Sequence, residues 1–245
     1  MEGEYMELFI GTTEACDEKG SQEIIKQLKY KPNSVLGLAT GTTPIGIYKK
    51  LVEKYQANEI DFSKAKTFNL DEYAAITQSH QSSYYTFMQE NLFKDINIKS
   101  ICIFIPDCNA ADLEQECKSY EEKIVANGGI DLQVLGIGHN GHIGFNEPNT
   151  PFESTTQVIQ LTESTIEANS RFFDNSDQVP RQALSMGIKT IMQARKIVLI
   201  VKGAEKADII NKALNGPITP EIPASVLQLH PNLIVIVDND AAAKL

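Results

Sequence analysis

L-G-I-G-H-N-G-H-I-G-F-N-E-P, the stretch from Leu135 to Pro148, decides the fold of this chain. It continues an apolar run, Leu132–Leu135, that is typical of a buried strand. Its glycines let the backbone pass close to a ligand, and Pro148 ends any helix that would run through it. Polar side chains therefore lie on a constrained loop at the carboxyl end of a strand, where open α/β sheets bind ligands. Two of the four histidines and a carboxylate fall between His139 and Glu147, which favours a ligand site over an ordinary strand-to-helix turn.

The rest of the chain alternates short Val-, Ile- and Leu-rich runs with helical patterns. This predicts a largely parallel sheet covered on both faces. The predicted strands are Glu7–Ile10, Val35–Ala39, Lys66–Leu70, Ile101–Ile105, Leu132–Ile137, Ile197–Val201 and Leu233–Val237. The predicted helices are Thr13–Leu28, Ile47–Tyr55, Tyr84–Leu92, Asp112–Ala126, Glu163–Phe172, Ile188–Gln193 and Glu205–Leu214. No repeat, low-complexity tract or linker interrupts this order, so we expect residues 1–245 to form one domain.

Composition and charge restrict the class of protein. The chain has 245 residues, 42% hydrophobic residues and a net charge of -10, which argues against nucleic acid and anionic membranes as partners. A local pocket for a small anionic substrate remains compatible with this charge. The N-terminus has no basic region followed by an apolar segment, and no apolar run approaches the ~20 residues of a membrane span. The four cysteines lack CxxC spacing, so we expect a cytoplasmic protein with reduced thiols and no zinc site.

The turn T-G-T-T-P, from Thr40 to Pro44, joins a predicted strand to a predicted helix. Backbone N–H groups and the positive end of a helix favour an anion there, and two threonine hydroxyls add donors. The lysine of the GxxxxGK[ST] phosphate loop is missing, so a capped helix start explains the same residues equally well. Arg171 and the segment Lys202–Lys206 offer cations to the same anion, although each alone also fits a solvated surface charge.

Asp71 and Glu72 lie at the end of a predicted strand. Because successive strand side chains point to opposite faces, only one of the two carboxylates is expected to reach a given pocket. A carboxylate there suits a general base, but a solvated turn is the commoner explanation for a lone acidic pair. The functional interpretation depends on the combination of an anion loop, a carboxylate and a His/Glu loop at the carboxyl ends of strands.

Several segments follow one another along nearly the whole chain: G-L-A-T-G-T-T-P, F-N-L-D-E-Y, G-I-G-H-N-G-H-I-G-F-N-E-P, A-N-S-R-F-F and L-Q-L-H-P. In this order they resemble the glucosamine-6-phosphate deaminase family of isomerase-deaminases, in its short, non-allosteric type. The resemblance implies a Rossmann-like α/β fold whose mostly parallel central sheet has about seven strands flanked by helices. It implies conversion of glucosamine 6-phosphate and water to fructose 6-phosphate and ammonia, in the catabolism of N-acetylglucosamine and sialic acid. It implies no metal and no organic cofactor.

The resemblance also assigns roles by matching position. Asp71, the first acid of D-E-Y, is implied as the base that moves a proton between C2 and C1. His142 is implied as the acid/base that opens the sugar ring, with Glu147 as its carboxylate partner. Asn140 stands where family members carry either aspartate or asparagine, so only Glu147 carries a charge beside the histidine, and the pKa of His142 is expected to differ accordingly. The phosphate-site positions are Gly41, Thr42, Thr43, Arg171 and Lys206.

Two alternatives remain open. A 6-phosphogluconolactonase shares the fold and a related G-x-G-x-D-G-H loop, but it hydrolyses a lactone and needs no C2 base. A non-catalytic sugar-phosphate sensor on the same scaffold would be expected to lose the base or the histidine, and this chain has both. The F-N-L-D-E-Y and F-N-E-P segments favour the deaminase.

Regulation is expected to be absent. The resemblance implies that longer, hexameric members are activated by N-acetylglucosamine 6-phosphate at an interface whose basic residues follow the N-E-P loop. The corresponding segment here, Ser154–Gln160, has no lysine or arginine, and the chain ends at Leu245 without the C-terminal extension of those members. We therefore expect a monomer with hyperbolic kinetics.

Overall fold

A parallel sheet of seven strands forms the centre of the computed structural model, which describes residues 6–162, 166–167 and 179–245. The strands are β1 (Met6–Gly11), β2 (Val35–Leu38), β3 (Lys66–Asn69), β4 (Asp71–Tyr73), β5 (Ile103–Phe104), β6 (Leu132–Leu135), β7 (Gln157–Gln160), β8 (Gln182–Ser185), β9 (Ile197–Val201) and β10 (Leu233–Asp238). The central sheet has the order β1-β10-β9-β6-β2-β3-β5, and all its neighbouring strands are parallel. The predicted Rossmann-like α/β fold class is therefore confirmed.

Helices connect these strands. They are α1 (Thr13–Tyr30), α2 (Ile45–Gln56), α3 (Tyr84–Asn91), α4 (Leu113–Ala126), α5 (Ile188–Met192) and α6 (Ala207–Asn215). Helices α1, α3 and α4 begin at side-chain caps, namely Thr12, Ser83 and Asp112, each of which accepts a backbone N–H of the first turn. The predicted helix Glu163–Phe172 lies largely outside the described residues.

Two boundaries differ from the prediction because short 3₁₀ turns take the place of regular structure. The predicted strand Ile101–Ile105 is reduced to β5, since Ser100–Cys102 forms a 3₁₀ turn. The predicted helix Glu205–Leu214 begins as α6 only at Ala207, after the 3₁₀ turn Ala204–Lys206. The apolar runs of the inner strands β2, β6, β9 and β10 are buried at every residue, which explains why they do not alternate. The edge strand β1 is largely exposed.

A second, antiparallel sheet of order β4-β8-β7 was not predicted. The prediction that Asp71 and Glu72 end a strand of the main sheet is wrong, because they belong to β4, with Asp71 opposite Ser185. The chain changes sheets at Leu70. The N–H of Leu70 donates to Leu38 of β2, while its carbonyl accepts the N–H of Met186 beside β8.

The strand order reverses between β2 and β6. From β2 the chain proceeds outward to β3 and β5, whereas from β6 it proceeds to β9 and β10 on the other side. Gly37 of β2 makes room for Gln133 of β6, whose Oε1 would lie 1.9 Å from a Cβ at Gly37. The loops that follow β2 and β6 therefore meet in the crevice where such sheets bind ligands. Among the described helices, none combines the length and apolarity that a membrane span requires.

Candidate active site

A cavity of about 840 Å³ opens at this crevice, within the usual size range of small-molecule sites. It brings together seven of the nine predicted site residues: Gly41, Thr42, Thr43, Asp71, Asn140, His142 and Lys206. Glu147 lies behind His142, and Arg171 falls outside the described residues.

One end of the cavity is formed by the turn from β2 into α2. Gly41 has a φ of +84°, a conformation that glycine adopts without a steric cost. Helix α2 begins after Pro44, and no side chain caps its first turn. The first backbone N–H groups of α2 are therefore left available at the end of the helix that borders the cavity. The turn is fixed from behind by the hydroxyl of Tyr48, which donates to the carbonyl of Ala39 at 2.6 Å. This arrangement suits an anion.

The two lysines of the segment after β9 have different surroundings. Lys202 donates to the carbonyl of Thr43 at 2.9 Å and forms an ion pair with Asp17, so it supports the turn from outside the cavity. Lys206 lines the cavity, forms no salt bridge with a described residue, and has a pKa that burial lowers below its ordinary value. A half-buried cation that forms no salt bridge with a described residue is a natural partner for an anionic ligand.

The loop that follows β6 places His142 at the cavity wall. A Cβ at Gly138 would lie 2.2 Å from the ring of His142, so only glycine permits this packing. The ring is 27% exposed while its Nδ1 is buried, which leaves the other edge of the ring facing the cavity. Nδ1 lies 3.6 Å from Oε1 of Glu147, slightly beyond hydrogen-bond distance.

Asn140 contacts Glu147 rather than the imidazole. Its Nδ2 donates to Oε2 of Glu147 at 2.6 Å, and its Oδ1 accepts the backbone N–H of His142 at 3.2 Å. The neutral amide therefore orients the carboxylate that lies beside the histidine. Glu147, which the resemblance implies as the partner of His142, is the acid of this loop that lies beside the ring.

Asp71 lines the same cavity and is 7% exposed. Burial, with a smaller contribution from the charge of Glu72, raises the pKa of Asp71 from 3.8 to about 8. Gly144, with a φ of +57°, brings the histidine loop close to it, since a Cβ there would lie 3.7 Å from Oδ2 of Asp71. A carboxyl with such a pKa accepts and returns a proton near neutral pH.

A further wall of the cavity is formed by α3 and the segment before it. The sequence did not predict that these residues line the site. Tyr84 stacks against Phe145 with ring centroids 6.3 Å apart, and Tyr73 lies 4.8 Å from Tyr84. Phe87 adds a further apolar surface to this wall. The helical pattern of α3 was visible in the sequence, but its packing against β4 depends on contacts between distant segments.

No group of three or more histidine, cysteine, aspartate or glutamate side chains that could hold a metal occurs in the part of the chain that the structure describes. All four cysteines are free thiols, and three of them are buried. The cavity thus combines donors for an anion, a carboxyl with a raised pKa and a histidine beside a carboxylate. These groups suit proton transfer on a small anionic molecule.

A Rossmann-like sheet with an anion turn, a buried carboxyl and a histidine at its switch point defines a class of α/β enzymes that transfer protons on small anionic substrates. The chain belongs to the family of glucosamine-6-phosphate isomerases and 6-phosphogluconolactonases, whose family model matches residues 12–235.

Similar curated proteins agree with this membership. A glucosamine-6-phosphate deaminase from Clostridium novyi (strain NT) is 56% identical over 93% of this chain and 95% of its own length. A glucosamine-6-phosphate deaminase from Clostridium botulinum (strain Loch Maree / Type A3) is 52% identical over 97% of this chain and 98% of its own length.

Among solved structures, one described as a monomeric glucosamine-6-phosphate deaminase superposes with a TM-score of 0.96 at 42% identity. It covers 98% of this chain and 100% of its own. The 6-phosphogluconolactonase from Trypanosoma brucei superposes with a TM-score of 0.78 at 18% identity, with 98% of each chain covered. At that identity the second likeness concerns the fold alone.

Proposed function

We propose that this chain is a glucosamine-6-phosphate deaminase, which converts glucosamine 6-phosphate and water to fructose 6-phosphate and ammonia. The observation that carries the proposal is the buried carboxyl of Asp71, with its raised pKa, in the same cavity as the anion turn and His142. Isomerisation of an aldose to a ketose needs a base at C2, whereas hydrolysis of a lactone does not. The relatives named for this reaction, at 52–56% identity, support the same activity.

Binding begins with the phosphate. The backbone N–H groups of Gly41–Thr43, the start of α2 and the ammonium of Lys206 hold the phosphate at one end of the cavity. Arg171 is a further phosphate ligand in this proposal, on the basis of the family resemblance. A phosphate held away from the reacting carbons orients the sugar and supplies binding energy for the chemical step.

Ring opening is the first chemical step. The imidazole of His142 transfers a proton to the ring oxygen and accepts the proton of the C1 hydroxyl. Glu147 stabilises the protonated imidazole from the Nδ1 side, and Asn140 keeps the carboxylate in place. The open aldehyde acidifies the hydrogen at C2.

Isomerisation and deamination follow. Asp71 removes the proton from C2 while the aldehyde oxygen takes up a proton, which gives an enolamine. Asp71 then returns its proton to C1, and loss of a proton from the amino nitrogen leaves an imine at C2. Water adds to the imine, ammonia leaves and fructose 6-phosphate remains. The aromatic wall beside Asp71 lowers the local polarity, which keeps the carboxyl basic enough for the transfer.

The test is an assay of the purified chain with three readouts. Glucosamine 6-phosphate should release ammonia and fructose 6-phosphate, and this turnover should survive exhaustive chelation. Release of acid from 6-phosphogluconolactone instead would indicate the lactonase, and binding without turnover would indicate a sensor. Loss of ammonia release in EDTA, restored by a divalent ion, would contradict the metal-free part of the proposal.

Replacing Lys206 with alanine should mainly weaken phosphate binding. A hydrogen bond to a charged group is worth about 1.5–3 kcal/mol, which corresponds to roughly 10- to 150-fold in KM. Steady-state kinetics measure this change, with Lys212→Ala as the matched control, since Lys212 is an exposed lysine of α6, the helix that follows Lys206. An unchanged KM in Lys206→Ala would remove Lys206 from the site.

We further propose that the enzyme is a cytoplasmic monomer without allosteric activation and that it binds no nucleic acid. The solved neighbour described as monomeric and the absence of basic residues from Ser154 to Gln160 support this. Initial rates should depend hyperbolically on substrate, and N-acetylglucosamine 6-phosphate should not raise them. A sigmoidal curve that this compound makes hyperbolic would show the opposite.

A further inference from the structure

The carboxylate of Glu72 joins two walls of the active site. Glu72 lies between Asp71 and Tyr73 on β4, is 4% exposed and is not part of the cavity lining. Its Oε1 accepts the backbone N–H groups of Tyr73 and Tyr84, each at 2.9 Å, and its Oε2 accepts that of Tyr85 at 2.9 Å. One side chain of β4 thus holds both its own strand and the first turn of α3.

The start of α3 depends on this contact. The first N–H groups of a helix have no partner within the helix. Ser83, the N-cap, accepts the N–H of Thr86 at 3.0 Å, and Glu72 accepts those of Tyr84 and Tyr85. A negative charge at a helix N-terminus is also favoured by the helix dipole. The position of α3 is therefore fixed by a residue of the strand that carries Asp71.

We propose that Glu72 is a positioning residue that holds Asp71 in a fixed relation to the cavity wall formed by Tyr84 and Phe87. This inference rests on the proposed function, because Asp71 is the base of that reaction. Proton transfer needs the base within hydrogen-bond reach of the reacting carbon, and a shift of about 1 Å can cost roughly 10²-fold in rate. Glu72 itself does not touch the substrate, because its carboxylate is occupied by backbone amides on the other side of β4.

The charge of Glu72 gives the proposal a second readout. Burial raises the pKa of Glu72 itself above its ordinary value, and its three backbone amides oppose that rise by stabilising the ionised form. In that form Glu72 adds to the effect of burial on the pKa of Asp71, so a neutral residue at position 72 should lower the pKa of Asp71. Asp71 also interacts electrostatically with the hydroxyls of Tyr48 on α2, Tyr84 on α3 and Tyr120 on α4, and Tyr73 and His142 line the same cavity. Burial raises the pKa of each of the three interacting tyrosines above its ordinary value, so their hydroxyls stay protonated in the pH range of interest.

Glu72→Gln and Glu72→Asp test the inference. Glutamine keeps the length of the side chain but offers one acceptor oxygen to three amides, while aspartate keeps the charge. Asp112→Asn is the matched control, because it removes a carboxylate from the start of α4, away from the cavity. The measurements are kcat and KM, the pH dependence of kcat/KM, and hydrogen exchange of the backbone amides of Tyr84 and Tyr85.

In Glu72→Gln we expect kcat to fall about 10²-fold with little change in KM, since the phosphate contacts are intact. The two amides should exchange faster, and the rise of kcat/KM with pH should move to lower pH. Glu72→Asp should restore part of kcat and keep the midpoint of the pH profile. Asp112→Asn should leave all three measurements unchanged.

Three results would overturn the proposal: a normal kcat in Glu72→Gln, a loss of kcat without faster exchange in α3, or an unchanged pH midpoint. If Glu72→Gln does not fold, Glu72→Asp is measured instead. Its shorter side chain should still make the amides of Tyr84 and Tyr85 exchange faster than in the native enzyme, and unchanged exchange would contradict the proposal. Failure of the proposed function is separate, because it would appear as absence of ammonia release in the unmodified enzyme. The exchange measurement needs no turnover and would still report whether Glu72 holds α3.

Discussion

Asp71→Asn is expected to lower kcat by roughly 10²–10⁴-fold, the usual loss when a positioned general base is removed. Asparagine keeps the shape of the side chain but has no basic oxygen. Binding should survive, because in the proposed binding mode the phosphate is held by the Gly41–Thr43 turn and by Lys206, away from Asp71. A sugar-phosphate analogue should therefore bind the variant with near-normal affinity.

Isotope exchange tests the same step directly. With fructose 6-phosphate and ammonium in D₂O, the unmodified enzyme should exchange a hydrogen at C1, and Asp71→Asn should not. If the variant deaminates and exchanges at close to the native rate, another residue is the base. Glu72 is then an unsuitable candidate for the base, because three backbone amides donate to its carboxylate.

The raised pKa of Asp71 adds a dependence on pH. The base must be ionised, so kcat/KM of the free enzyme should rise with pH through about 8. The effect on stability has the opposite sign. A carboxyl whose pKa is higher in the folded state than its ordinary 3.8 binds more protons when folded, so the free energy of unfolding falls as the pH rises from 3.8 to about 8. Asp71→Asn should remove this decline in the free energy of unfolding. Thermal unfolding of both proteins at several pH values measures the decline, and it also shows that the variant is folded.

The main sheet could be predicted from the sequence because its inner strands are buried on both faces. Runs such as Ile197–Val201 are continuously apolar, and the intervening helices show their own spacing. The second sheet could not be predicted in the same way. Its strand β4 has three residues and exists only because the chain after Leu70 pairs with β8, more than a hundred residues later. No local pattern specifies such a pairing.

The same distinction holds for the site. Gly41 and His142 follow β2 and β6, so their meeting at the carboxyl edge of the main sheet was predictable from parallel topology. Asp71 joins them from β4, at the start of the second sheet. The wall formed by Tyr84 and Phe87 was not predictable, since it depends on Glu72 holding α3 against β4. In the sequence, Glu72 could be interpreted only as a second acid beside Asp71. The three backbone amides that donate to its carboxylate became visible only in the structure.

His142→Gln is expected to reduce deamination of glucosamine 6-phosphate by roughly 10²–10⁴-fold. Glutamine can reach towards the ring oxygen from the same position, but its amide cannot accept and return a proton at neutral pH. Steady-state ammonia release measures the loss. An acyclic amino-hexitol phosphate, which needs no ring opening, should bind this variant about as well as the native enzyme.

His139→Gln is the matched variant, because it changes the other histidine of the same loop. It should lose less activity than His142→Gln, and the opposite order would move the ring-opening role to His139.

The exchange at C1 of fructose 6-phosphate separates the ring-opening step from the proton transfer between C2 and C1. Fructose 6-phosphate opens its ring more readily than an aminopyranose, so His142→Gln should retain more of its exchange than of its deamination. Asp71→Asn should lose both together. Equal loss of exchange and deamination in His142→Gln would mean that His142 acts in the proton transfer between C2 and C1 rather than in ring opening.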